Sequence, residues 1–534
     1  MAPALSDIDL RRRGIASLAA IVLALGALLG ACDAATLKTG ASSGEPVRIL
    51  AGAAGTIDPA AAGDAASVGV IAQLFETLTV FDTSLTLRPA LAESWAFEDG
   101  GRRIVFRLRD GLTFSDGTPL TGDDVVRSWL RLIDPQQPSP LVSLMLDVEG
   151  ALDYVRGVST DPGSVGLRAD GLEVTVELNR PAADFVNIVA GPMFAIVPPG
   201  IDNDPGALRP GSFVGSGGYT IAAADGDSTT LHANPNYWAG EPPTGEVVLV
   251  HDLGGRSPVE AYEAGELDYA PIGDFDASWI AYDPVLGPEL REVPSLSVQY
   301  YGFDTTRPPF DDVRVRQAVG AAVDWRRIVE LGSTGSEVVA NSMVPPGIPG
   351  STERDFLPVH DPDAARQLLA DAGFPDGAGF PEVTMLTGGG PYDEAIVTEI
   401  ERELGIEVTY ETMDFDTYFG RLDSDPPHIW SLTWVADYPG PNDFLGVLLG
   451  SESSNNYGGY RSAEFDAAIA DAGAADDPAA AREAYDQAEA IIQADVPVVP
   501  VSYGTGWALS PETLLGAGQN GLGLIRIAGL TWAE

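Results

Sequence analysis

Alternating apolar and polar positions predict strands at Ile104–Leu108 and Leu172–Leu178, where every second side chain is apolar. A continuous apolar run, Val247–Val250, predicts a strand buried on both faces. Helix signals lie between such segments. Ser257, Pro258 and Glu260 combine a capping box with proline at the first helical position. Asp361–Pro362 predicts a helix start, and Gly373 its end. Thr121 to Asp124 opens a helix over Val125–Ile133. Asp477–Pro478 opens a long amphipathic helix with Ala484, Tyr485, Ala488, Ile491 and Ile492 on one face. Asp110–Gly111 and Asp116–Gly117 are turn dipeptides bracketing Leu112–Phe114. The interleaved strands and helices predict α/β or α+β architecture with more than one lobe, and no solenoid repeat is visible.

The N-terminus has a different pattern. Arg11, Arg12 and Arg13 precede an apolar run, Ile15–Leu29, and then Gly30, Ala31 and Cys32. A basic region, an apolar stretch and a small-residue cleavage site describe an export signal, and the run is too short and too rich in Ala and Gly to be a comfortable membrane span. Leu29–Cys32 resembles a bacterial lipobox, which implies that residues 1–31 are a lipoprotein signal peptide and that Cys32 is lipidated. Residues 32–45 are small and polar and predict a flexible tether.

Composition narrows the chemistry. The 534 residues include 30 basic and 78 acidic side chains, a net charge of −48. Loss of residues 1–31 removes three Arg and two Asp and leaves −49. Such a chain repels nucleic acid and anionic membrane surfaces. A hydrophobic content of 45% with nine Trp excludes wholesale disorder. Lys38 is the only lysine, so a Walker A loop or a Schiff base in the folded body is excluded. Cys32 is the only cysteine, so after lipidation no thiol remains for disulfides, clusters or thiol catalysis.

Enzyme motifs are weak. Gly40–Gly44 satisfies GxSxG but lies in the tether, without the strand before it and the helix after it that a nucleophile elbow needs. Gly516–Gly521 satisfies GxGxxG but lies too close to the C-terminus for a βαβ unit. His232, His251, His360 and His428 show no metal-ligand spacing and are expected to be structural or surface residues. Asp123–Asp124 and Asp311–Asp312 suit helix N-termini. No catalytic residue, metal site or cofactor is expected.

An ordered series of motifs then carries a resemblance. Thr56–Pro59 is followed by Leu74–Leu78, Pro89–Trp95, Phe106–Gly117 with Asp123–Val125, Gly215–Tyr219, Asn234–Trp238, Gly265–Asp268, Val313–Ala318 and Leu368–Gly373. From about Glu45 to Pro500 the chain resembles the family 5 extracellular solute-binding proteins of ABC transporters, the peptide and oligopeptide type. The resemblance implies an α/β, periplasmic-binding-protein-like type II clamp, with two α/β lobes and an inserted third domain. Lobe I would use residues 46–82, 209–301 and 501–534, the inserted domain 83–208, and lobe II 302–500. Ligand shifts such a clamp toward its closed state, because the contacts to both lobes exist only there.

Thr433–Pro441 and Ser453–Tyr457 resemble the oligopeptide-binding branch. There an Asp at the position of Asp437 pairs with the ligand's α-ammonium group, and a buried carboxylate needs such a cation. Trp434, Tyr438, Tyr301, Tyr300 and Asn456 are the other expected ligand contacts. Leu296–Tyr301 is the expected strand for hydrogen bonds to a peptide backbone. That branch often carries Arg six residues before the Asp; here the residue is Ser431, which puts the anchor for a ligand carboxylate in doubt. The expected partners are a peptide or other small solute and the ABC permease subunits, with the membrane reached through the lipid anchor only and the protein a monomer on the outer face of the cytoplasmic membrane. Other readings are the same fold binding an oligosaccharide or opine, and a sensor lipoprotein that presents ligand to a receptor.

Overall fold

Val47–Leu50 pairs in parallel with Glu246–Val250, and antiparallel strands Ser228–Ala233 and Tyr219–Ala224 complete that sheet. The computed structural model describes residues 45–202, 210–333, 337–453, 455–475 and 477–533. The expected signal peptide, Cys32 and the tether up to Gly44 lie outside them. Val247 and Leu249 are buried while Val248 and Val250 are half-buried, so the apolar run has one sealed face instead of the expected two. The second face carries only a smaller cluster around Tyr262, which meets Val250.

The core of this sheet gathers Val47–Phe75, Phe213–Leu249 and Leu514–Leu530, stretches far apart in the chain. A buried ion pair joins them. Glu76 is 3% exposed. Its Oε2 accepts from Arg526 Nη2 at 2.9 Å, from the Tyr237 hydroxyl at 2.5 Å and from Trp238 Nε1 at 3.1 Å. Burial pushes the Glu76 carboxyl up, but the Arg526 guanidinium and these donors outweigh it and hold the group below the usual carboxylate range. Arg109 stacks over Trp238 at 4.4 Å and extends the network.

A second sheet is antiparallel, in the order Ala92–Glu98, Arg103–Leu108, Glu173–Glu177, Leu167–Asp170. The helix expected over Val125–Ile133 spans Gly122–Leu132 and starts with a capping box, Thr121 with Asp124. It places Trp129 edge-on to Phe106, Phe185 and Phe194, with the indole N–H on the Phe194 carbonyl at 2.9 Å.

The third sheet is mixed. Its order is Ala270–Ile272, Val498–Leu509, Leu290–Phe303, Ile429–Val435, Val383–Thr387, Val408–Thr412, with Val338–Val339 also on Val498–Leu509. Leu290–Phe303 lies between two antiparallel partners. At Gly302 a β-carbon would stand 2.3 Å from the Trp430 ring, so only glycine fits there. The Pro478–Asp495 helix is N-capped by Asp477 and buries Ala488 and Ile492 against this sheet.

Arg526→Met should leave Glu76 buried without its cation and destabilise the fold by about 3 kcal/mol. The double variant Glu76→Gln/Arg526→Met should lose less. Denaturant midpoints check this; equal losses in the two variants would show that lost packing, not the stranded charge, sets the cost.

Candidate functional site

Ile429–Val435 has one complete edge and one incomplete edge. Residues 429–435 pair with 303–297 of Leu290–Phe303. On the other side Val383–Thr387 reaches only Ile429 and Trp430. Along an antiparallel strand the N–H and C=O of successive residues turn to opposite sides. The Ala436 N–H donates to the Leu296 carbonyl at 2.8 Å, while the Ser431 carbonyl turns the other way and accepts from Tyr418. Thr433 and Val435 therefore direct their backbone groups to the incomplete edge, where no strand pairs with them among the described residues. Thr433 is exposed and Val435 is 50% exposed.

The chain leaves this strand through Ala436–Gly440 and enters the short Pro441–Phe444 helix. Asp443 turns its side chain back: Oδ2 accepts from the Asp437 N–H at 3.0 Å and from Trp434 Nε1 at 3.1 Å. Asp443 is 0% exposed, and its Oδ1 is buried without a hydrogen-bond partner. Asp437 is half-buried, and desolvation pushes its carboxyl up to about 6. Burial first, and then the negative charge of Asp437, push Asp443 well above the usual range. No salt bridge reaches either acid among the described residues.

The other expected contacts are placed differently. Tyr438 is fully buried with Trp129 and Phe185, in the core of the second sheet. Its hydroxyl donates to Asp184 Oδ2 at 3.0 Å, and Asn442 Nδ2 donates to the Tyr438 hydroxyl at 3.0 Å and to Asp184 Oδ2 at 3.3 Å. Tyr300 and Tyr301 point to opposite faces of their strand into two separate cores, and the Tyr301 hydroxyl donates to Asp393 at 2.5 Å. Asn456 braces its own loop: its side chain donates to the carbonyls of Gly450 and Tyr460 and accepts from the Tyr460 N–H. In this structure these four side chains have packing and bracing contacts. The backbone of Leu296–Tyr301 is engaged on both sides from Val298 onward, and the incomplete edge described above belongs to the neighbouring strand. Asp437 and Trp434 stay together beside that edge.

Sequence reasoning missed Asp443 and Asp184. An acid in the first turn of a helix is ordinary, so Asp443 carried no signal of its inward turn. Among the described residues no group of His, Cys, Asp and Glu could hold a metal ion. His251 and His428 serve local hydrogen bonds, to Thr229 and the Ala51 carbonyl and to the Thr384 N–H respectively.

The family model for "Bacterial extracellular solute-binding proteins, family 5 Middle" matches residues 86–456. The chain is 30% identical over 467 residues to the "Probable deoxycholate-binding periplasmic protein YgiS" of Escherichia coli, covering 84% of this chain and 86% of that one. It is 29% identical over 450 residues to the "Periplasmic oligopeptide-binding protein OppA" of Salmonella typhimurium, covering 80% and 81%. The solved structure of the Escherichia coli murein tripeptide binding protein MppA superposes with a TM-score of 0.79 at 25% identity, over 93% of this chain and 99% of that one.

Tyr438→Phe should destabilise the protein by about 1–2 kcal/mol, the cost of leaving a buried acceptor with fewer donors. An unchanged denaturant midpoint would show that Asp184 does not depend on the hydroxyl.

Proposed function

The chain belongs to family 5 of the bacterial extracellular solute-binding proteins, and on that premise we propose that it captures peptides by the amine end and delivers them to an ABC permease. Its fold is the α/β type II clamp of two lobes with an inserted domain, and it is a binding protein, not an enzyme. We place lobe I at residues 46–82, 209–301 and 501–534, the inserted domain at 83–208 and lobe II at 302–500.

The observation that carries the reading is Asp437 beside the incomplete edge of Ile429–Val435. A carboxyl pushed up to about 6 gains most from a cation, and a peptide's α-ammonium supplies one. The free N–H and C=O groups of Thr433 and Val435 can add the following peptide units as a strand, which tolerates varied side chains. Trp434, half-buried, would pack beside the first residues. Ser431 is buried and offers no cation, so the peptide's carboxyl end contributes little at this position. Cys32 would tether the protein to the outer face of the cytoplasmic membrane, and no helix among the described residues is long and apolar enough to cross a membrane.

A second reading is an amphiphilic solute. It rests on the relative named for deoxycholate and on a groove of about 550 Å³ in the first sheet's region, lined by Ile49, Val70, Leu249, Ile525, Ile527 and Gln73. A titration with deoxycholate separates the two.

In calorimetric titrations Asp437→Asn should weaken trialanine binding by about 100-fold, in line with the roughly 3 kcal/mol lost when one partner of a buried pair is removed. N-acetylation of the peptide should do the same, and C-terminal amidation should change affinity only a few-fold. Equal binding of the acetylated peptide would sink the amine anchor. Cys32→Ser should move the exported protein from the detergent phase to the aqueous phase on phase partitioning; retention in detergent would overturn the lipid anchor.

A further inference from the structure

Asp443 is the buried acid that the peptide reading leaves without a task. It is fully buried. Its Oδ2 holds the two groups that define the anchor, the Asp437 backbone N–H and the Trp434 indole, while Oδ1 has no partner. Two neighbouring carboxylates with no paired cation cannot both stay ionised in such surroundings.

We propose that Asp443 is a second, proton-carrying carboxyl of the amine anchor: it positions Asp437 and Trp434 from within and gives up its proton when a ligand ammonium neutralises Asp437. This inference rests on the proposed peptide function. Burial first, and then the charge on Asp437, holds the proton on Asp443. A ligand –NH3+ at Asp437 cancels that charge, so an O–H bond of Asp443 breaks and the proton passes to water or buffer. No other bond changes, and the ligand keeps its own three protons. The pair behaves as one coupled titration.

The charged and titratable groups around the pair come from three other elements. Asp184 faces it from the inserted domain, next to Arg180, which is bound to Asp147 at 2.6 Å. Tyr438 stands between Asp184 and Asp443, and Tyr485 approaches from the Pro478–Asp495 helix. The only cation in this set, Arg180, is engaged with Asp147 and offsets Asp184, leaving Asp443 to its own proton.

The test uses Asp443→Asn, a near-isosteric change that keeps an acceptor for both donors. The first measurement is trialanine titration at pH 7 in buffers of different ionisation enthalpy, which counts protons released. Asp437 is already largely ionised there. Wild type should release protons on binding, and in Asp443→Asn the heat of the binding that is left should no longer depend on the buffer. Equal release in the two proteins overturns the proposal. The second measurement needs no ligand: the infrared difference between wild type and Asp443→Asn at pH 7 should show a protonated carboxyl band belonging to wild type. Its absence overturns the shared proton. If wild type fails to bind trialanine at all, the peptide reading falls and the exchange step with it, whereas binding without proton release removes the Asp443 inference alone.

Discussion

The antiparallel pairing of Leu290–Phe303 with Val498–Leu509 is the constraint on which the site depends. One end of the pair carries Ala270–Ile272 beside Leu509, near the first sheet. The other end carries Ile429–Val435 along residues 297–303. From Val298 to Gly302 the central strand is paired on both sides, and the far edge of Ile429–Val435 beyond Trp430 is open among the described residues. The strand then ends at Ala436, and Asp437 emerges beside the edge that a peptide would extend. Gly302 admits the Trp430 ring against the central strand.

Three acids withdrawn from water, Glu76, Asp437 and Asp443, differ in what offsets their charge. Glu76 has a guanidinium, a phenol and an indole around it, and its charge is offset within the protein. It closes a core whose parts are 450 residues apart in sequence. The Asp443 carboxyl has only a backbone and an indole donor, and no cation among the described residues forms a salt bridge with Asp437 or Asp443. Desolvating a carboxylate without a cation is costly. A fold that needed these acids only for stability would do better with neutral side chains of similar size, which is the physical ground for the proposed ligand that brings the charge.

Much of the fold was legible in the chain. Capping signals at Thr121, Ser257, Asp361 and Asp477 each start the helix they predict, because these caps depend on residues within one turn. The alternation at Ile104–Leu108 and Leu172–Leu178 matches strands of the second sheet for the same reason. The run Val247–Val250 was over-read, since an apolar side chain shows what could be buried and not what covers it. The site was partly legible: Asp437 and Trp434 stand together, while Tyr300, Tyr301, Tyr438 and Asn456 are used inside the protein.

The sequence by itself determined the family and the α/β class, and it carries the residues on which the proposed export signal, lipid anchor and amine contact at Asp437 rest. Each of these is carried by neighbouring residues or by an ordered series of motifs. The tertiary structure decided which strand keeps an open edge, which tyrosines face a core, and that Asp443 turns back onto Asp437 and Trp434. Those outcomes depend on which distant segment arrives to pair a strand or to exclude water from a carboxyl. Local periodicity fixes the face a side chain takes on its own element but not what meets it there.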